Sequence, residues 1–161
     1  MKKWMVLLII CALLSGCRAE ETFETLADEI FAVEAVPRQV IMDMPPEAAA
    51  PASESEEGKI YICDGYEITV QTLEGGDLDA TLRAISGYDR EKLTVMESQQ
   101  GDWKRYDLVW ACAGEEGERI GRGAVLDDGN FHYALCVLSD SDRIEDYEQV
   151  WEALFASYTL S

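Results

Sequence analysis

The segment Phe131–Leu138, FHYALCVL, restricts the fold more than any other. A β-strand points successive side chains to opposite faces, and here both alternating sets are largely apolar. Such a strand belongs in the middle of a sheet, with cover above and below it. The chain must therefore supply a strand on each side of it and packing layers on both faces.

The surrounding pattern offers candidates. Lys59–Cys63 and Tyr66–Leu73 flank Asp64-Gly65, a dipeptide suited to a two-residue hairpin whose central residues need positive φ. That turn pairs Cys63 with Tyr66 and Tyr61 with Ile68. It sets Tyr61, Cys63, Tyr66, Ile68 and Val70 on one face. After Gly75-Gly76, Asp77 is a good helix N-cap. Leu78, Leu82 and Ile85 follow at helical spacing, and Gly87 is the stop. Further strands are predicted at Leu93–Gln99, Trp103–Cys112 and Glu118–Leu126, with a hairpin turn at Asp127-Asp128-Gly129-Asn130. Asp142–Tyr158 is the closing helix, with Tyr147, Val150, Trp151, Leu154 and Tyr158 as its apolar stripe. The expected class is α+β: an antiparallel β-sheet with a short helix and a long C-terminal helix packed on it.

Before Lys59 the character changes. All four prolines lie at Pro37, Pro45, Pro46 and Pro51. Pro45–Gly58, PPEAAAPASESEEG, has no large apolar residue and is expected to be a linker or a mobile loop. Val40, Met42 and Met44 alternate, so Arg38–Met44 is expected to be a short strand. If that strand joins the main sheet, the acidic stretch becomes a long surface loop instead. In residues 20–36, Phe23, Leu26 and Ile30 fit a helix while Thr22, Thr25 and Val33 weaken it. The folded domain is expected over residues 59–161, with 17–58 as a tethering segment.

The chain starts Met1-Lys2-Lys3, and Trp4–Leu14 is an unbroken apolar run. It is too short to span a bilayer, which takes about 20 residues, but it has the length of a signal-peptide core. It ends in Leu14-Ser15-Gly16-Cys17, which resembles the bacterial lipobox. Small Ser15 and Gly16 let an extended backbone enter a peptidase cleft. The Cys17 thiol can take a diacylglyceryl group as a thioether. The resemblance implies a signal peptide over residues 1–16, cleavage before Cys17 and lipidation of Cys17. Its acyl chains, at about 0.8 kcal/mol per buried methylene, would anchor the protein on the extracytoplasmic face of the cell membrane.

The chain has 32 acidic residues against 13 basic ones, a formal charge of −19, and losing Lys2 and Lys3 with the leader makes the remainder more acidic. Such a surface repels nucleic-acid phosphates and anionic headgroups. Nucleic-acid binding is excluded on that ground, and contact with the membrane is expected through the lipid alone.

The ending combines the apolar strand FHYALCVLS, the acidic turn SDSDRIED and the helix YEQVWEALFASYTL. With the order of elements before it, this resembles the PsbP-like fold over about residues 59–161. That fold is shared with a Ran-binding nuclear-import factor and many bacterial lipoproteins. The resemblance implies a non-enzymatic role in binding or assembly near a membrane. It transfers no functional residues. The acidic segment before Lys59 departs from it.

No catalytic, cofactor-binding or metal-ligating set emerges from the residues. His132 is the single histidine, and with Cys112 or Cys136 it is an incomplete zinc set. A cysteine nucleophile would need Cys63, Cys112 or Cys136 beside His132. These three cysteines lie in apolar stretches and read as buried thiols, one disulfide being the alternative. Asp127-Asp128-Gly129-Asn130, and Asp140-Ser141-Asp142 with Glu145 and Asp146, carry oxygens of the kind calcium takes. Neither has the alternating ligands of a twelve-residue calcium loop, and turn and helix-start chemistry account for them. Gly121-Arg122-Gly123 lies inside a predicted strand, so close packing or a bulge is expected and not a phosphate loop. Trp103, Tyr106 and Trp110 could line a groove, with Trp103 on the face opposite the other two. A place in the core is the simpler expectation. The functional expectation is a lipid-anchored lipoprotein of the cell envelope, not an enzyme, that binds an envelope protein or assists assembly. The alternative is an extracytoplasmic lipoprotein that binds a small ligand or a cation.

Overall fold

Seven antiparallel strands form one sheet around the segment that the pattern singled out. The structure is a computed structural model and describes residues 35–114 and 117–161. The leader, Cys17 and the ambiguous stretch up to residue 34 lie outside the described residues. In chain order the strands are β1 (Val40–Ile41), β2 (Ser53–Glu54), β3 (Gly58–Cys63), β4 (Tyr66–Glu74), β5 (Thr94–Gln100), β6 (Trp103–Ala113), β7 (Glu118–Asp127), β8 (Phe131–Asp140) and β9 (Thr159–Leu160). The helices are α1 (Leu78–Ser86) and α2 (Ile144–Ser157). The sheet runs β2-β3-β4-β8-β7-β6-β5, with β8 in the centre.

Local chemistry explains the connections. Asp64-Gly65 closes the β3–β4 hairpin, with Gly65 at φ +84°, and Cys63 faces Tyr66 while Tyr61 faces Ile68. Asp77 caps α1 by accepting from the Ala80 N–H at 3.0 Å, and the Gly87 N–H donates to the Arg83 carbonyl at 2.8 Å. In the β7–β8 turn, Asp128 Oδ1 accepts from the backbone of Asn130 and Phe131 at 3.0 and 2.8 Å.

Alternation along the strands divides the core in two. Tyr61, Tyr66, Ile68, Leu126, Tyr133, Leu135 and Val137 pack with Trp151, Leu154 and Phe155 of α2 and with Tyr158 just after it. On the other face Tyr106, Leu108, Trp110, Val125 and Ala134 pack with Leu82 of α1. The two helices therefore lie on opposite faces, and the predicted cover on both sides of β8 is one helix on each. Helix α2 begins at Ile144, later than Asp142, because Ser141–Arg143 form a 3-10 turn.

The N-terminal part differs most from expectation. Arg38–Met44 contributes only Val40–Ile41 as strand, and β1 pairs with β9 in a separate two-stranded sheet instead of joining the main one. Pro45–Gly58 is not a free linker. Pro46–Ala48 is a 3-10 turn whose Ala48 is buried, and β2 pairs with β3. The Tyr66 hydroxyl donates to Glu47 at 2.7 Å, and the Asp43 N–H donates to Ser157 Oγ at 2.8 Å. Val40, Met42 and Met44 pack on the α2-side core, so this strap buries apolar surface that composition alone did not reveal. Pro37–Ser161 form one unit, which begins well before Lys59.

Candidate functional site

The strap and α2 do not cover the whole of their face. Beyond α2, the surface of β5 and β6 remains open as a groove of about 660 Å³. Its floor comes from alternate residues, because only every second side chain of a strand points to this face. Met96, Arg105, Asp107 and Val109 rise from β5 and β6, and Arg122 comes from β7. Glu152, Phe155 and Ala156 of α2 form the far wall. Met96 is 68% exposed and Val109 is 51% exposed.

The floor is held firmly. Arg105 grips Asp107 with Nε and Nη2, both at 2.8 Å. It also donates to the Phe155 and Tyr158 carbonyls at 2.9 and 3.1 Å. Those carbonyls belong to the end of α2, where a cation offsets the helix dipole. The Arg122 guanidinium lies 4.4 Å from the centroid of the Phe155 ring. Among the described arginines, only Arg122 has no carboxylate within ion-pair reach, the others pairing as Arg38–Asp102, Arg83–Asp89, Arg90–Asp79, Arg105–Asp107, Arg119–Glu67 and Arg143–Asp64.

The glycines beside Arg122 serve the other face of the sheet. On the opposite face, a Cβ at residue 121 would meet the Trp110 ring at 2.1 Å. At residue 123 it would meet Leu108 at 3.0 Å. Gly121-Arg122-Gly123 is thus a close-packing element, one of the two expectations from sequence. Trp103, Tyr106 and Trp110 are all buried and none lines the groove.

The other candidates are dispersed. His132 is 1% exposed under α1, where its Nδ1 shares a 2.7 Å hydrogen bond with the Thr81 hydroxyl. Its Nε2 lies 3.7 Å from Asp127 Oδ1. Cys136 is four residues further along the same strand, a rise of about 14 Å. Cys63 packs on the opposite face of the sheet, and Cys112 is beside Arg119 at the far end of β6 from the His132 row. Among the described residues no cysteine is positioned to use His132. All three cysteines are unpaired thiols. Burial pushes the Cys136 thiol up to about 12, with Glu67 and Cys112 adding to it. Burial also raises Cys63. Neither favours a thiolate nucleophile.

The carboxylates also serve structure. Asp127 and Asp128 bond turn amides, Tyr133 donates to Asp128 at 2.8 Å, and Asp140 lies 3.4 Å from Arg119. Among the described residues no three His, Cys, Asp or Glu side chains converge as a metal site. Sequence reasoning missed the groove. Its available signals were Met96 among Thr94, Ser98 and Gln100, and Val109 beside Arg105 and Asp107, at alternate positions of β5 and β6.

No protein-family model matches the chain, and no curated protein sequence matches it. Among solved structures, it is similar to cyanobacterial PsbP (CyanoP) from Synechocystis sp. PCC 6803. The TM-score is 0.52 and the identity 12%, over 81% of this chain and 96% of that one. It is also similar to LpqN of Mycobacterium tuberculosis, described as involved in cell envelope biogenesis. There the TM-score is 0.52 and the identity 11%, over 81% of this chain and 87% of that one. The domain therefore has the PsbP-like fold expected from its closing strand, turn and helix.

Proposed function

We propose that this chain is a lipid-anchored, extracytoplasmic binding module that docks a protein of the cell envelope. The carrying observation is the open strip next to α2 in which Met96 and Val109 lie diagonally across β5 and β6, Met96 facing Asp107 and Val109 facing Thr94. Exposed apolar surface beside a rigid, ion-paired floor suits a protein interface. The lipobox-like Leu14-Ser15-Gly16-Cys17 supports the anchor. The likeness to LpqN supports an envelope role for the fold. The dispersal of His132, Cys63, Cys112 and Cys136 supports a non-enzymatic role.

Labelling cells with an alkyne palmitate analogue tests the anchor. The wild-type chain takes the label and sediments with membranes, and Cys17→Ala does neither. Purification from crosslinked native membranes tests the binding role. One stoichiometric protein partner that depends on Cys17 supports the reading. Recovery of the anchored chain alone moves it to the small-ligand or cation class.

A further inference from the structure

From the geometry we infer that the groove takes an amphipathic, basic helix of the partner protein, laid beside α2. This rests on the docking reading above and names its site and chemistry. Strands in a sheet are about 4.8 Å apart, so the uncovered β5–β6 pair is about 10 Å wide. That is the diameter of one helix and the usual spacing between packed helices. From Arg105 to Val109 the floor runs about 14 Å, the length of about nine helical residues. Met96 and Val109 would bury against an apolar stripe of two to three turns.

The charge of the occupant follows from the walls. On the floor Arg105 and Arg122 stand with Asp107, and Glu152 on the α2 wall balances the second cation. Arg105 is already spent on Asp107 and two carbonyls, and Arg122 faces the Phe155 ring. Arg122 can donate to a carbonyl or hydroxyl oxygen of the occupant. Helix α2, IEDYEQVWEALFAS, carries Glu145, Asp146, Glu148 and Glu152 and no basic residue. Glu148 and Glu152 are exposed and four apart, so they share the flank toward the groove. The other wall, from β5, offers Met96, Ser98 and Gln100 and no charge. A helix lying against α2 therefore meets an acidic flank, and Lys or Arg on its adjoining edge complements it. A second copy does not fit, since α2 is acidic and the chain's −19 charge repels its like.

The test places a photo-crosslinking phenylalanine at Met96 of the full lipidated chain in native membranes. The control site is Ile62, which is 68% exposed on the opposite sheet face. Crosslinked peptides are identified by mass spectrometry. The expected result is a protein crosslink at position 96 within a net-positive stretch of apolar residues at three- and four-residue spacing. In Glu148→Lys/Glu152→Lys its yield falls about tenfold while the melting temperature stays unchanged. A crosslink at 96 to an acidic or extended segment, to lipid or to a second copy overturns the inference. So does an unchanged yield in the double variant. A partner captured only at 62 overturns the site while leaving the docking reading intact. No protein at either position removes both.

Discussion

Replacing Gly121 with alanine places a methyl carbon 2.1 Å from Trp110 Cε2 and 2.3 Å from Cζ2. Carbon atoms pack at about 3.5 Å or more, so the ring must withdraw by roughly 1.5 Å. It has little freedom to do so. Trp110 is buried in one cluster with Leu82, Tyr106 and Leu108. Overpacking of this kind costs about 1–3 kcal/mol, and a ring buried among large neighbours belongs at the upper end. We expect Gly121→Ala to lose about 3 kcal/mol in urea unfolding followed by far-UV circular dichroism. The melting temperature should drop by about 10 °C. Trp110→Leu alone should lose about 2–4 kcal/mol through the cavity it leaves. In Gly121→Ala/Trp110→Leu the new methyl group occupies space the ring has vacated. The double variant should be more stable than the sum of the singles by about 1 kcal/mol or more. If Gly121→Ala stays within about 0.5 kcal/mol of wild type, or if the losses simply add, the ring is not seated on Gly121.

Three further outcomes follow from the packing. Cys136, with its thiol held up to about 12, should react with a soluble disulfide reagent at pH 8 on the order of a hundredfold more slowly than a free cysteine, and fully in urea. Fast labelling of Cys136 in the native protein contradicts the raised thiol. Arg105→Lys should destabilise α2 by about 1–2 kcal/mol, because an ammonium cannot grip Asp107 twice while serving the Phe155 and Tyr158 carbonyls. Equal unfolding midpoints for the variant and wild type count against that cap. Acid should loosen the strap. The Tyr66 hydroxyl holds the Glu47 carboxyl below its usual value. Burial alone would raise the Asp128 carboxyl, but donation from the Phe131 amide, the Tyr133 hydroxyl and the Asn130 amide, with Arg38 nearby, keeps it low. Depressed carboxylates contribute fully above their unfolded values near pH 4, and that contribution is lost as the pH falls through the lower folded values. Asp128→Asn should therefore flatten the stability profile below about pH 4, and an unaltered slope there argues against the linkage.

Much of the fold was legible because its causes are local. Asp64-Gly65 dictates a two-residue turn, and the turn dictates that Cys63 faces Tyr66. Asp77 and Gly87 mark the ends of α1 through bonds that reach only three or four residues. The double-sided apolarity of Phe131–Leu138 demanded the centre of the sheet, and β8 occupies it. By contrast, PPEAAAPASESEEG has the composition of a linker, yet Ala48 is buried and Ser53–Glu54 adds to the edge of β3. Backbone pairing and a small side chain in a distant cluster leave no trace in hydropathy.

The candidate site was the least legible part. Met96 and Val109 are single exposed apolar residues, a pattern that is ordinary on any protein surface. They became a surface only when seven strands assembled a sheet wider than α2 and the strap can cover. The sequence by itself determined the turns, the caps of α1, the two apolar sets of Phe131–Leu138 and the acidity of α2. Those depend on residues a few positions apart and on their own chemistry. The tertiary structure alone decided that α1 and α2 take opposite faces, that Val40 pairs with Leu160, and that β5 and β6 stay bare. Alternation states that a strand has two faces to bury, but which distant element reaches each face is settled by the competition of all of them for the same sheet.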